Sequence, residues 1–189
     1  MADGLQANIM RMGQLTNRLS DGVFQKNYES NAFLKRLKAM LDLGIVPYNL
    51  KTQYTEFTPI DKAANAVMTI VRNFTNEYTV FHIENHKFVY MEELVNMFNQ
   101  LNYHVKFVSE AAFSKIIDEI SGESDKSHIL ETFINELDDK NRLSYESNIQ
   151  IKFDFTIQYL KRLGFEWPKI GMDYLRKYVE YFRRIGYFK

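Results

Sequence analysis

Short apolar segments typical of strands alternate with amphipathic segments typical of helices over the first 108 residues of the chain. The predicted strands cover residues 7–13, 54–60, 78–83 and 105–108, and one predicted helix lies in each interval between them. A regular alternation of strand and helix is typical of α/β proteins in which some strands pair in parallel. The sequence therefore predicts an α/β fold.

The two strand segments nearest the N-terminus differ in character. Residues 7–13 form a largely apolar run that ends at a glycine, which favours a strand buried on both faces, although a helical turn fits such a run as well. Residues 54–60 alternate in polarity, and Pro59 predicts that this strand lies at an edge or that it ends there. The polar residues 14–30 contain the turn signal Asp21-Gly22 and are predicted to form a loop.

Capping residues mark the predicted helices. Asn31 is expected to cap the first helix, and Gly44 is expected to end it. Asp61 is expected to cap the second helix, whose small and apolar side chains predict a well-buried face. That face comprises Ala63, Ala64, Val67, Met68 and Val71.

Beyond Ser109 the remaining periodic segments are helical, at residues 113–120, 129–137, 157–163 and 173–185. We therefore expect an α/β region over residues 1–108 and a helical subdomain over residues 109–189, packed as one compact unit. The last predicted helix has a continuous apolar stripe, which favours a helix docked in the core. Trp167 and Pro168 precede it and are interpreted as a hydrophobic anchor.

Composition excludes several classes of protein. Of the 189 residues, 46% are hydrophobic, and 24 basic residues balance 24 acidic ones, so no net charge attracts nucleic acid or an anionic membrane. The absence of cysteine excludes a disulfide scaffold and thiolate metal ligands. No apolar run reaches the ~20 residues of a membrane helix, and no signal peptide is visible at the start. We expect a soluble, cytoplasmic protein.

The usual catalytic patterns are missing. His82 and His86 lie at a strand end without a second ligand cluster, and His104 and His128 are isolated, so no metal site is predicted. No glycine pair has the spacing of a dinucleotide loop or a P-loop, and no Gly-x-Ser-x-Gly occurs. None of the 12 tyrosines is followed by lysine four residues later. We therefore expect no catalytic residue in this chain.

Five segments, in this order, resemble a known family. They are GLQANIMRMGQLTNR (4–18), DGVF (21–24), EFTPID (56–61), VFHIEN (80–85) and LGFEWP (163–168). Together they are similar to the C-terminal part of the thioester reductase domain that ends many nonribosomal peptide synthetases, a member of the extended short-chain dehydrogenase/reductase superfamily. The resemblance implies a partial Rossmann-type sheet followed by a mostly helical substrate subdomain.

The resemblance also implies a cofactor and a site. In the family, NADPH delivers hydride to a thioester on the phosphopantetheine arm of a carrier protein, and the product is an aldehyde or an alcohol; NADH is not excluded as the cofactor. The glycine-rich loop and the catalytic Tyr/Lys set precede residue 7 in the family. The turn after the first strand, formed by Met12, Gly13, Gln14 and Leu15, is expected to pass near the nicotinamide. The family commonly has asparagine at position 14.

The segment from Asp21 to Phe33 is expected to line the route of the acyl chain and the pantetheine arm, with Val23, Phe24 and Asn27 as substrate contacts. Under this interpretation the chain is a fragment that needs the N-terminal half of the reductase domain, binds no cofactor alone and is inactive alone. An uncovered first strand would then favour a homodimer as a result of truncation.

The alternative interpretation is an autonomous protein-interaction module. Residues 117–139 include eight acidic residues and one lysine, whereas the last predicted helix is basic. Such faces could dock carrier domains or other proteins, or could simply be solvated. Nucleic acid and membranes are not expected partners.

Overall fold

The computed structural model of the chain describes residues 7–74, 79–120, 129, 132, 143 and 152–189. The helices with described bounds are α1 (Ala32–Leu43), α2 (Ile60–Asn73), α3 (Met91–Gln100), α4 (Glu110–Ile120), α5 (Asp154–Arg162) and α6 (Met172–Arg184). The strands are β1 (Ile9–Met12), β2 (Leu15–Thr16), β3 (Ile45–Pro47), β4 (Tyr54–Thr55), β5 (Thr58–Pro59), β6 (Val80–Ile83), β7 (Val89–Tyr90) and β8 (Lys106–Val108). The predicted helix at residues 129–137 falls outside the described residues, apart from positions 129 and 132.

The strands of the described residues pair two by two. β1 pairs with β6, β2 with β5 and β3 with β8 in parallel, and β4 pairs with β7 antiparallel. The predicted α/β class with parallel pairing is therefore confirmed. No helix in the described part of the chain combines the length and the apolar character needed to cross a membrane.

The segment at residues 54–60 is two strands instead of the single strand predicted. β4 and β5 are separated by Glu56 and Phe57, and they pair with different partners. Phe57, which lies between the two strands in the sequence, is fully buried in the core, and the direction of the chain changes at this residue. Pro59 ends β5 as expected. The predicted loop 14–30 also contains the short strand β2 and a 3₁₀ turn at Tyr28–Ser30.

β1 is not buried on both faces, and that prediction is wrong. Met10 packs against the core, but Ile9 is 47% exposed and Met12 is 44% exposed. β6 is the strand that pairs with β1 among the described residues. Since peptide groups of a parallel strand point alternately to either side, those of Met10 and Met12 face away from β6. One edge of β1 is therefore uncovered in the described structure.

The first helix begins and ends as its capping residues predict. The backbone N–H of Leu34 donates to Asn31 Oδ1 at 2.8 Å, which satisfies one free donor of the first turn. Gly44 adopts a left-handed conformation with φ 65° directly after α1, and its N–H donates to the Met40 carbonyl. This conformation favours glycine because it strains residues that carry a Cβ.

The buried face of α2 differs from the prediction. Ala63, Ala66 and Ile70 are buried, whereas Met68 and Val71 are exposed. The helix is therefore rotated relative to the predicted face, and Ala63 is common to both. The expected cap at Asp61 is also wrong, because α2 already begins at Ile60 and no side chain caps it.

The described residues divide into two compact units, which are built from interleaved segments. The first comprises residues 7–24, 56–74, 79–88 and 152–181, and the second comprises residues 25–55, 89–120 and 182–189 with 129, 132 and 143. Each unit thus draws on chain from both sides of residue 108.

The core of the first unit lies between α2, β6 and the segment before α6. Its buried members are Ala63, Ala66, Ile70, Phe81, Ile83, Leu160 and Trp167. Trp167 is 3% exposed, and its ring meets Phe165 edge-on with 5.1 Å between centroids. The predicted docking of the last helix is confirmed, because Leu175, Tyr178 and Val179 on its stripe are all fully buried.

The second unit holds α1, β3, α3 and β8 around an apolar core. Leu37, Met40, Val46, Leu94 and Phe98 contribute to that core. The side chain of Asn99 then fixes the turn after α3, because it donates to the Val105 carbonyl and accepts from the Val105 N–H, both at 2.8 Å.

Candidate functional site

The carboxyl ends of β1 and β6 lie side by side in the first unit. Met12 is in register with Ile83, and the Gly13 N–H donates to the Ile83 carbonyl at 3.0 Å. The turn after β1 and the loop after β6 therefore leave the sheet at the same edge. Ligands of open α/β sheets bind at this edge, outside the carboxyl ends of the strands. The predicted cofactor turn, Met12 to Leu15, is at this position.

Glu56 joins this turn to β5. Its Oε1 accepts the Gln14 N–H at 2.9 Å and also accepts a short hydrogen bond from the Thr58 hydroxyl. The Gln14 carbonyl accepts the Thr58 N–H at 3.1 Å. The backbone N–H and the carbonyl of Gln14 are therefore both hydrogen-bonded within the protein.

Gly13 leaves the space that Glu56 occupies. A Cβ at position 13 would collide with Glu56 Oε1 and would lie 2.8 Å from its Cδ. It would also lie 2.6 Å from the Glu84 Cβ, closer than side chains approach in folded proteins. The close approach of Glu56 to the turn therefore requires glycine at this position.

The Glu56 carboxyl keeps its proton to a higher pH than an exposed glutamate does. Burial is the main cause that raises its pKa to about 7, against the opposing hydrogen bond from Thr58, and the nearby Glu84 carboxylate raises it further. Burial also raises the pKa of Glu84. Neither glutamate takes part in an ion pair among the described residues.

Asn85 ties the site to the anchor before α6. Its N–H donates to Thr58 Oγ1 at 2.8 Å, so Thr58 relays a hydrogen bond from Asn85 to Glu56. Its side-chain amide donates to the carbonyls of Phe57 and Pro168, each at 3.0 Å. The buried Asn85 therefore fixes three segments relative to one another, and the motifs 56–61, 80–85 and 163–168 meet at this residue.

Asp61 organises the loop that follows β2. Its carboxylate accepts the N–H groups of Leu19 and Ser20 at 2.9 and 3.1 Å. Burial acts to raise the pKa of Asp61, but these hydrogen bonds outweigh it and lower the pKa. Asp61 thus holds the loop in place of capping α2.

Tyr174 of α6 supports the same loop from the other side. Its hydroxyl lies 2.8 Å from both Thr16 Oγ1 and the Asn17 carbonyl. Burial raises the pKa of Tyr174, and Lys177 donates to the carbonyls of Leu19 and Ser20. The buried hydroxyl therefore ties α6 to Thr16 and Asn17 at the start of the loop.

The three predicted substrate contacts differ in exposure. Val23 is half-buried, and its carbonyl accepts the Arg18 N–H at 3.0 Å. Phe24 is buried, so its ring is less accessible to a ligand than its backbone and its neighbours are. Asn27 is exposed in the second unit. Their role in substrate binding stays a prediction.

A second cleft of about 180 Å³ in the first unit is lined by His86, Lys87, Lys161, Glu166, Trp167 and neighbouring apolar side chains. Burial and the nearby Lys87 lower the pKa of His86. Among the described residues, no group of three His, Asp or Glu side chains could hold a metal ion. His82 lies within β6, where its N–H donates to Thr156.

The cofactor turn offers two side chains to a ligand. Those of Met12 and Gln14 are exposed beside the carboxyl ends of β1 and β6, and they supply a soft apolar surface and an amide. An amide can pair with the carboxamide of nicotinamide, and a thioether packs favourably against a ring. The expected position of this turn near the nicotinamide stays a prediction.

Sequence reasoning assigned no role to Glu56, Thr58 or Asn85, which complete this site. All three lie in segments that carry the family resemblance, and a glutamate next to the buried Phe57 was the signal that could have singled out Glu56. Apart from the Thr58–Glu56 pair, these bonds span 27 to 83 residues along the chain, which periodicity does not report.

No protein-family profile and no curated protein matches the sequence. Solved structures do match. The thiolation-reductase di-domain from an archaeal nonribosomal peptide synthetase has 29% sequence identity and a TM-score of 0.81, covering 98% of this chain and 38% of that one. The terminal R domain from the myxalamid PKS-NRPS pathway has 19% identity and a TM-score of 0.78, over 98% and 46% of the two chains. The aureusimine cluster reductase domain has 17% identity and a TM-score of 0.75, over 97% and 46%.

The chain thus spans 38–46% of the length of these three structures. The likeness nevertheless includes all five motif segments, because it extends over nearly the whole sequence. The resemblance found in the sequence is confirmed: the chain has the α/β fold of the C-terminal portion of the terminal reductase domains of nonribosomal peptide synthetases.

Proposed function

We propose that this chain is the C-terminal part of an NAD(P)H-dependent thioester reductase. The whole enzyme would release an acyl or peptidyl chain from a carrier protein as an aldehyde or an alcohol. The observation that carries the proposal is the match to the archaeal thiolation-reductase di-domain over 98% of this chain at 29% identity. In that protein the reductase is joined to a thiolation domain, which supports a carrier protein as the partner.

One edge of β1 is uncovered in the described structure, which supports the proposal that a neighbouring strand is missing. The peptide groups of Met10 and Met12 face away from β6, and an apolar strand edge of this kind normally pairs with a further strand. In the proposed enzyme, residues outside this chain would extend the sheet there and provide the glycine-rich phosphate loop and the proton donor.

The chain's own contribution to the reaction is to position groups. NADPH, when bound, supplies the hydride. Met12 and Gln14 would face its nicotinamide end, while Gly13 and Glu56 keep their turn against the sheet. The loop 17–24, held by Asp61 and Tyr174, would present Val23 and Phe24 toward the acyl route, with Asn27 following it.

The test compares the full-length protein with the 189-residue chain. We expect the full-length protein to oxidise NADPH, followed at 340 nm, only when an acyl thioester of a carrier protein or of pantetheine is present. Calorimetric titration of the 189-residue chain with NADPH should give no heat of binding, because the pyrophosphate site and the proton donor lie outside it. A micromolar dissociation constant for the chain alone would contradict this division of roles.

A matched pair of variants tests the cofactor turn in the full-length protein. Gln14→Ala should raise the KM for NADPH by about fivefold, as expected when one hydrogen bond worth ~1 kcal/mol is lost. Gln100→Ala, an exposed glutamine at the end of α3, should leave the KM unchanged. Equal KM values for both variants would remove Gln14 from the cofactor site.

A further inference from the structure

A single carboxyl group holds three segments of the first unit together. Glu56 Oε1 accepts from the Gln14 N–H on the β1–β2 turn and from the Thr58 hydroxyl on β5. Thr58 in turn accepts the Asn85 N–H from the loop after β6. In addition to the backbone bonds of Gly13 to Ile83 and of Thr58 to Gln14, this side chain therefore links the turn to β5 and, through Thr58, to the loop after β6.

Among the described residues, no cation forms an ion pair with Glu56. The turn contributes Gly13 and Gln14, β5 contributes Thr58, and the loop after β6 contributes Asn85 and the carboxyl of Glu84. Glu84 is the titratable group that acts on Glu56, and it acts by repulsion. The neutral form of Glu56 is therefore the one that this packing favours.

Two forces compete when Glu56 loses its proton. The hydrogen bonds from Thr58 and Gln14 are stronger to a carboxylate, but burial and Glu84 outweigh them, as the raised pKa shows. An ionised carboxylate is better solvated in water than in this buried position, so loss of the proton favours rotation of the side chain toward solvent. That rotation breaks the bond to Gln14.

We propose that Glu56 is a positioning residue of the Met12–Leu15 turn: its neutral carboxyl adds a side-chain fastening to the turn at the carboxyl ends of β1 and β6, and loss of the proton removes that fastening. The turn is ordered below neutral pH and loosened above it. The effect on the cofactor rests on the function proposed above, whereas the effect on the turn does not.

The first experiment follows the turn directly by NMR on the 189-residue chain with ¹³C-labelled glutamate carboxyls and ¹⁵N amides. Between pH 5 and pH 9, the Glu56 carboxyl should titrate with a midpoint near 7. The Gln14 amide shift should move with the same midpoint, and its exchange protection should fall about tenfold one pH unit above it, beyond the intrinsic increase in exchange rate.

Two variants separate this role from simple packing. Glu56→Gln keeps an oxygen acceptor without a charge, so the Gln14 amide should stay protected across the range and show no titration. Glu92→Gln changes an exposed glutamate of α3 and should leave the Gln14 titration as in the wild type. A Glu56 midpoint between 4 and 5, or a Gln14 amide that ignores the Glu56 titration, would overturn the proposal.

The second experiment measures NADPH affinity against pH in the full-length protein. Affinity should fall about tenfold from pH 6 to pH 8 in the wild type, stay level in Glu56→Gln, and be low throughout in Glu56→Ala. If the Gln14 amide titrates as expected but NADPH binds equally at both pH values, the positioning role of Glu56 stands, and the assignment of the Met12–Leu15 turn to the cofactor is wrong. If the amide does not titrate while NADPH binds, the proposed function stands and the role of Glu56 fails.

Discussion

Gly13 is the residue at which a single methyl group has the largest predicted consequence. Its Cβ position is already occupied by the Glu56 carboxyl and lies 2.6 Å from the Glu84 Cβ. Overpacking of this kind typically costs ~1–3 kcal/mol. We therefore expect Gly13→Ala to lower the free energy of unfolding by about 1–3 kcal/mol in urea denaturation.

A double-mutant cycle identifies the source of that cost. In the Glu56→Ala background the carboxyl is gone, so Gly13→Ala should cost less there by about 1 kcal/mol or more. Strict additivity of the two substitutions would show that the strain arises elsewhere, for example at Glu84.

Glu56 also makes stability depend on pH, with a defined sign. Its pKa in the folded chain is raised from 4.5 to about 7, so the folded state binds the proton more tightly than the unfolded state. The stabilising contribution is complete below about pH 4.5 and is lost as the pH rises through 7. We expect a loss on the order of 1–3 kcal/mol between pH 4.5 and pH 8 attributable to this group.

The measurement is the free energy of unfolding at a series of pH values for the wild type and Glu56→Gln. The difference between the two proteins should grow in favour of the glutamine variant as the pH rises. A difference that is constant with pH would mean that Glu56 titrates normally in the folded chain.

Residues with local roles were predictable, and residues with distant partners were not. Asn31 caps α1 through a bond three residues away, and Gly44 ends the same helix with its own backbone. Glu56 instead bonds to Gln14, 42 residues earlier, and Asp61 was assigned to a local cap although its partners lie equally far away. A sequence pattern reports which side chain is able to bond, but not which distant partner the fold supplies.

At the scale of elements, α2 illustrates the limit of helical periodicity. The sequence carries two overlapping apolar faces, and the fold buries the one with Ala66 and Ile70 and leaves Val71 60% exposed. The choice depends on the small side chains that allow α2 to approach β6 and Trp167. The alternating burial of β6, by contrast, follows its strand pattern, with Phe81 and Ile83 inside.

Adjacent residues of α2 should therefore respond very differently to truncation. Ile70→Ala removes a fully buried side chain and should cost about 2–5 kcal/mol of unfolding free energy. Val71→Ala, one position further on, should change it by less than about 0.5 kcal/mol. If chemical denaturation shows similar losses of unfolding free energy for both variants, the orientation of α2 predicted from the sequence would be favoured instead.

The anchor before α6 was predicted from its residue types and is confirmed as part of the core. Trp167 packs with Leu160 and Phe81, and Pro168 accepts from Asn85. Trp167→Ala should cost ~3–5 kcal/mol and lower the thermal midpoint by several degrees, as measured by circular dichroism. Leu163→Ala, at a partly exposed position four residues earlier, is the control and should move the midpoint little. An unmoved midpoint for Trp167→Ala would contradict the anchor.

At the scale of the whole molecule, the α/β class and the likeness to terminal reductase domains were predictable, because five motif segments in order carry more information than any one of them. The interleaving of the two units was not. Chain-order patterns divide the sequence at residue 108, whereas the contacts join residues 7–24 to residues 56–74 and 79–88 and to residues 152–181. Such pairing depends on three-dimensional contacts that a linear pattern does not contain.

The uncovered edge of β1 leads to a prediction about association. Ile9 and Met12 are exposed beside peptide groups that lack a second strand in the described structure, and bare apolar edges favour pairing with another chain. We expect the 189-residue chain to form a homodimer whose mass falls to that of a monomer on dilution in multi-angle light scattering.

A charge on this edge should prevent the association. Met12→Lys should give a monomer throughout the dilution series, and Val71→Lys, on the exposed face of α2, should dimerise as the wild type does. A wild-type chain that stays monomeric at high concentration, with the Met10 and Met12 amides protected from hydrogen exchange, would show that the edge is covered within one molecule.

The first unit is built from three separate segments of the chain, and this affects how it folds during translation. Asn85 bonds to Pro168, 83 residues later, and Phe81 and Ile83 are covered by Leu160 and Trp167. At ~5–20 residues per second, translation needs about 4–17 seconds to supply that cover. During this interval the apolar side of β6 can pack against α2 but lacks Leu160 and Trp167, which is a long window for a chaperone to bind. Folding of the first unit is therefore tied to the completion of the chain, while α1 and its capped ends can form as soon as they emerge.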